Sequence, residues 1–168
     1  MKKLSIIFLL SIVSCIEYSC SKHTATSFQL NKGEILVGKY SANGTHSVDV
    51  DQAILMEQIG KKHEVSKIDY VKSYTNENNL TVIEFAGPHN NGKQYITLAK
   101  VITVRKGNLI LNLSAGCTQK CTTQGCCSGC SLTALSDCSG SCSCSGTSSC
   151  NYGKSGCTHE VSSGGGLY

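Results

Sequence analysis

Apolar and polar positions along this 168-residue chain follow three successive regimes. A mainly apolar run from Leu4 to Val13, broken only by Ser5 and Ser11, follows Lys2 and Lys3 and reaches Ser14 and Cys15. A helix needs about 20 apolar residues to span a bilayer, so this run predicts a signal-peptide core rather than a transmembrane helix. From about residue 26 to Leu113 apolar residues recur at short, regular periods. Beyond Ser114 they almost vanish, and Cys, Ser, Thr and Gly take over.

In the middle regime Glu34 to Tyr40 reads as a strand through Ile35, Leu36 and Val37, and Asn43 with Gly44 marks a turn. Asp49, with Gln52 three residues on, has capping-box spacing at the start of a helix. Leu55, Met56 and Ile59 fall on one face of that helix before Gly60 and the lysines end it. The period then changes to two. Ser66–Thr75 puts Ile68, Tyr70 and Tyr74 on one face; Leu80–Ala86 and Gln94–Arg105 are rich in β-branched and aromatic residues; Asn108–Leu113 alternates Leu109, Leu111 and Leu113 with Asn or Ile. The connections at Asn76–Asn79, Gly87–Gly92 and Lys106–Gly107 have room for hairpins and not for crossover helices.

The fold class expected is α+β: one helix packed on an antiparallel meander sheet, followed by a disulfide-rich irregular tail. Strand, helix and four antiparallel strands is the order of the cystatin-like fold, which the module resembles in element order. A Gln-x-Val-x-Gly inhibitor loop is absent from the sequence, so the resemblance carries no expectation of protease inhibition.

Ten of the twelve cysteines lie in the tail: Cys117, Cys121, Cys126, Cys127, Cys130, Cys138, Cys142, Cys144, Cys150 and Cys157. A segment with so few apolar residues cannot offset the roughly 1–2 kcal/mol per residue that backbone ordering costs, so its order must come from crosslinks or metal. Two chemistries suit the spacings. All ten cysteines can pair as disulfides, in about 945 possible ways. Alternatively Cys117, Cys121, Cys127 and Cys130 can hold zinc in a metallothionein-like or ribbon arrangement, with His159 as a further donor. Metal needs thiolates, and an exported chain crosses an oxidising space, so disulfides are expected and no cofactor is assigned. Adjacent Cys126 and Cys127 should reach different partners.

The tetrapeptide Ile12, Val13, Ser14, Cys15 resembles the lipobox of bacterial lipoproteins, in which the cysteine is acylated and becomes the new N-terminus. The resemblance implies lipidation at Cys15, with palmitate among the acyl chains, and a cell-envelope address, taken as the outer membrane on its periplasmic or cell-surface side. Cys20 competes on parity, since its lipidation would leave an even ten cysteines, but Glu17 three residues before it fits a signal-peptidase pocket poorly. The chain thus divides into a signal peptide (1–14), a lipidated tether (15–25), a small α+β module (26–114) and a crosslinked tail (115–168).

Charge and motifs narrow function mainly by exclusion. Without Lys2 and Lys3 the chain holds 13 basic and 11 acidic residues, a net charge of about +2 that favours no polyanion, and no basic stripe suggests nucleic acid. The C-x-x-C from Cys127 to Cys130 lacks the strand-to-helix setting of a redox site. Cys157 with His159 lacks a third group to orient the pair as a nucleophile and base. His23, His46 and His89 read as solvated histidines and His63 as a favourable charge at a helix C-terminus, while Asp49 and Asp51 read as helix-start charges and Gly87–Gly92 as a turn. The Ser, Thr and Cys after Gly116 also suit the core of a modified peptide, against which the secretory signal argues. The sum is a non-enzymatic envelope lipoprotein, an accessory, binding or structural subunit on a membrane surface or membrane-protein complex. A metal-sequestering lipoprotein is the alternative.

Overall fold

The computed structural model describes residues 28–125, 127–145 and 156–164. The signal segment, Cys15 and Cys20, and Cys126 and Cys150 of the tail, lie outside the described residues. Within them the protein is mainly β, with one short α-helix and a disulfide-rich C-terminal part.

Strands β1 (Glu34–Tyr40) and β2 (His46–Val48) form the first hairpin. Helix α1 (Gln52–Leu55) runs on through a π turn (Met56–Gly60) and a 3₁₀ turn (Lys61–His63). Its N-cap is Asp51, whose carboxylate accepts the Ala53 N–H at 2.7 Å, and not Asp49. Asp49 is held back because its own N–H donates to the Val37 carbonyl of β1. Leu55 and Ile59 are buried as the apolar stripe predicts.

Next come β3 (Tyr70–Thr75), β4 (Thr81–Pro88) and β5 (Tyr95–Val101), a consecutive antiparallel meander. The expected fourth strand does not extend it. The apolar stretch Gln94–Arg105 breaks at buried Ile102, whose N–H still donates to the Thr81 carbonyl, and β6 (Thr103–Arg105) leaves with β7 (Asn108–Asn112) for a second sheet ordered β2-β1-β7-β6. Tyr70 and Tyr74 share a face, but Ile68 precedes β3 and lies in the main core instead.

The tail is stranded rather than irregular. Strand β8 (Cys117–Gln124) pairs with β5, and β11 (Gly156–Ser163) pairs with β8, giving a five-stranded sheet ordered β11-β8-β5-β4-β3. Strands β9 (Cys130–Ser136) and β10 (Ser139–Cys144) form a separate hairpin. A segment with little apolar content can order this way because β5 supplies a ready edge for hydrogen bonding, and the threonines of β8 suit a pleated surface. The sequence boundary at 114/115 is therefore crossed by a sheet: Ile96 to Lys100 of β5 align with Thr122 to Thr118 of β8.

The five-stranded sheet is the middle of three layers. On one face Ile83, Phe85, Ile96 and Leu98 pack against Val37, Leu109 and Leu111 of the second sheet and against Leu55 and Ile59. On the other, Val82, Ala99 and Cys121 pack beneath Cys127, Cys130, Leu132 and Ala134 of the hairpin region. Strand β4 is buried on both faces, which explains its near-continuous apolar sequence. At Gly87 the chain approaches so closely that a Cβ would stand 1.8 Å from the Lys67 carbonyl oxygen, so only glycine fits.

Leu132→Ala should destabilise the whole protein by about 2–5 kcal/mol, the range for a fully buried leucine, if the hairpin core is part of one cooperative unit. The exposed Val104→Ala should change stability by roughly 0.5 kcal/mol or less. Denaturant unfolding followed by far-UV dichroism measures both.

Candidate functional site

Alternation along β3 places Tyr70, Lys72 and Tyr74 on the hairpin-side face of the sheet, with Lys72 directly across from Glu84 of β4. Glu84 is 4% exposed, so its charge has to be satisfied by neighbours. Tyr70 Oη donates to it at 2.7 Å, Tyr74 Oη at 3.1 Å, and Lys72 Nζ lies 2.9 Å from the same carboxylate. Lys72 Nζ also sits 5.6 Å from the Tyr70 ring centre and 5.4 Å from that of Tyr74, within cation–π range. Burial, with Glu84 adding to it, holds both phenols protonated well above the ordinary tyrosine range. Tyr95 Oη donates to Asp69 at 3.1 Å, and burial followed by that carboxylate pushes its pKa up to about 12.

This face runs into a cleft of about 530 Å³ between the β3–β4 turn and β9, lined by Tyr74, Thr75, Asn76, Glu77, Asn78, Leu132, Thr133 and Ala134. Its wall is fixed by Asn76, whose side-chain amide donates to the Ala134 carbonyl at 2.7 Å and whose carbonyl oxygen accepts the N–H groups of Asn78 and Leu80. The volume is in the range of small-molecule sites, and the lining mixes an aromatic ring and aliphatic groups with a carboxylate, two amides and several hydroxyls. Sequence reasoning placed Tyr70 and Tyr74 together but missed Glu84 and the cleft, because the β9 wall comes from the far side of the tail.

Among the described residues the tail cysteines form four bridges: Cys117–Cys138, Cys121–Cys142, Cys127–Cys144 and Cys130–Cys157. The first two share a separation of 21 residues and staple β8 to β10 and the turn before it. Cys117, Cys121, Cys127 and Cys130, the candidate zinc ligands, therefore fall in four different disulfides and are not four converging thiolates. Two sulfur groups are nonetheless close. The sulfurs of Cys127, Cys130 and Cys157 lie within 4.8 Å of one another, as do those of Cys117 and Cys138 with an Asp137 oxygen. Cys127 and Cys130 of the C-x-x-C bond elsewhere rather than to each other. His159 and Cys157 sit two apart on β11, and His159 Nε2 is buried without a hydrogen-bond partner among the described residues.

The histidines differ from their expected settings. His63 is buried, not a solvated charge at a helix end: burial first, then the Lys120 and Lys62 charges, lower its pKa to about 4 and keep it neutral. His46 lies in β2, its ring nitrogens 2.9 Å from Ser73 Oγ and 3.2 Å from Thr75 Oγ1, and edge-on to Tyr40. His89 Nε2 is 3.2 Å from Glu64. Lys100 is 2% exposed and its Nζ has no partner among the described residues; burial lowers its pKa.

No protein-family model, no curated protein and no solved structure matches the chain. No helix among the described residues is long and apolar enough to cross a membrane.

Two outcomes follow from the electrostatics. Glu84→Ala should destabilise the fold by about 1–3 kcal/mol, because two tyrosine hydroxyls and Lys72 lose their acceptor. Equilibrium unfolding measures it. For His63, the unfolded chain takes up a proton near pH 6.5 and the folded chain only near pH 4, so the unfolded state binds more protons in between and stability falls as pH drops through that window. The loss should be of order 1–3 kcal/mol between pH 7 and 4, and His63→Gln should flatten that part of the profile.

Proposed function

We propose that this chain is a non-enzymatic bacterial cell-envelope lipoprotein, anchored through acylated Cys15 and serving as an accessory, binding or structural subunit on a membrane surface or membrane-protein complex. The observation that carries the proposal is the lipobox-like Ile12, Val13, Ser14, Cys15 at the end of an apolar run too short to span a bilayer. Palmitate among the acyl chains and an outer-membrane address, on the periplasmic or cell-surface side, belong to the same reading.

Three features support it. The four disulfides among the described residues suit an oxidising, exported setting. The cleft at Tyr74 and Leu132 offers a binding surface held by the Asn76–Ala134 contact, and Cys127 and Cys130 are each bonded to a different strand, which removes the dithiol pair that a redox enzyme would use. The second reading, metal sequestration, is favoured by one observation, the close approach of the Cys127, Cys130 and Cys157 sulfurs.

Cys15→Ala should shift the protein from the detergent-extractable membrane fraction to a soluble or uncleaved form, while Cys20→Ala should leave anchoring intact. Mass spectrometry of the mature N-terminus reads the outcome directly. Acyl chains on Cys20, or an unmodified terminus downstream of it, would refute the assignment.

A further inference from the structure

Four cysteines gather at the open end of the β9–β10 hairpin, and the sulfurs of three of them lie close together. Cys127 lies just before β9 and Cys130 opens it, while Cys144 closes β10 and Cys157 lies near the start of β11. They form two bridges, Cys127–Cys144 and Cys130–Cys157, and the bridges touch: Cys127 Sγ is 3.7 Å from Cys157 Sγ. The sulfurs of Cys127, Cys130 and Cys157 all lie within 4.8 Å of one another. Cys144 is bonded to Cys127 and is also the register partner of Cys130 across the hairpin.

Thiolates about 2.3 Å from a tetrahedral zinc ion stand about 3.8 Å from one another. Breaking the two bridges would therefore leave three sulfurs, those of Cys127, Cys130 and Cys157, already near that spacing, with the exposed Cys144 at the end of β10 left to turn in as the fourth. We propose that reduction of Cys127–Cys144 and Cys130–Cys157 creates a zinc site of four thiolates. It goes beyond the lipid-anchor reading and rests on the sulfur positions alone.

The step balances with a dithiol as reductant. Each bridge takes two electrons and two protons from one dithiol, which closes to its own disulfide, so two dithiols yield four protein thiols. One zinc ion then displaces the four thiol protons and leaves the site with a net charge of −2. The exposed Cys144 gives the reductant its point of attack, and Cys127 leaves as the thiolate.

The local chain favours a dication over free thiolates. The Gly129 carbonyl oxygen lies 2.7 Å from Cys127 Sγ and 3.8 Å from Cys157 Sγ, so two bare thiolates would face its negative end. A bound cation offsets that repulsion. The Cys127-to-Cys130 turn would supply two ligands from one loop, with β10 and β11 supplying one each. By contrast, the other close group among the described residues has only the sulfurs of Cys117 and Cys138, joined by an Asp137 oxygen.

The test uses the mature chain reduced with excess dithiol, freed of it by gel filtration without oxygen, and titrated with Co²⁺ and then Zn²⁺. One Co²⁺ per chain should bind with the absorption of tetrahedral thiolate coordination and be displaced by equimolar Zn²⁺. Alkylation of the zinc-loaded chain, mapped by mass spectrometry, should then be roughly tenfold slower at Cys127, Cys130, Cys144 and Cys157 than in the metal-free chain. Cys117, Cys121, Cys138 and Cys142 should label at unchanged rates. Protection of any other set, including one that draws in Cys126 or Cys150, or uniform labelling with no tetrahedral spectrum, overturns the proposal. The double variant Cys117→Ser, Cys138→Ser should keep the metal, and Cys130→Ser, Cys157→Ser should lose it; equal loss in both overturns it too. None of these readouts depends on lipidation at Cys15.

Discussion

Strands β4 and β5 are buried on both faces, and the rest of the architecture follows from the need to cover both. Phe85, Ile83, Ile96 and Leu98 are covered by the second sheet and the short helix. Val82 and Ala99 face the other way and would meet water but for the β9–β10 hairpin, which brings Leu132 and Ala134 over them. The cysteine-rich segment thus completes the core, and its bridges hold a lid that has too little apolar area to stay down unaided.

The pairing of Cys117 with Cys138 and of Cys121 with Cys142 shows how strand geometry organises such a lid. Residues four apart in a strand point to the same face. The two cysteines of β8 therefore face the hairpin together and meet two partners with the same spacing. Gln119 lies between them in sequence and donates its amide to the Ser136 and Asp137 carbonyls, which adds a polar tie at the same seam.

Electrostatics on the middle sheet divide by face. Glu84 is accommodated on the hairpin side by two phenols and an ammonium. On the opposite side burial and neighbouring lysines keep His63 neutral, and Lys120 lies 3.2 Å from Glu160. The Tyr74 end of the first group opens into the cleft, so the residues that satisfy a buried carboxylate also shape the surface available to a ligand.

Local patterning in the sequence was enough to indicate β1, the meander β3 to β5, the apolar face of Leu55 and Ile59, and the concentration of crosslinks after Cys117, because each depends on the period of nearby residues. It also carried the lipobox-like end, on which the proposed anchoring rests. Tertiary structure decided where the strands go. The split of Gln94–Arg105 at Ile102, the capture of β8 by the free edge of β5, and the choice among the cysteine pairings all join residues far apart in the chain. Nor could His63 be recognised as buried and neutral from sequence, since Lys120, which helps depress its pKa, lies on a strand 57 residues away that packing alone brings beside it. Period along the chain specifies a face; only the packed sheet specifies what that face meets.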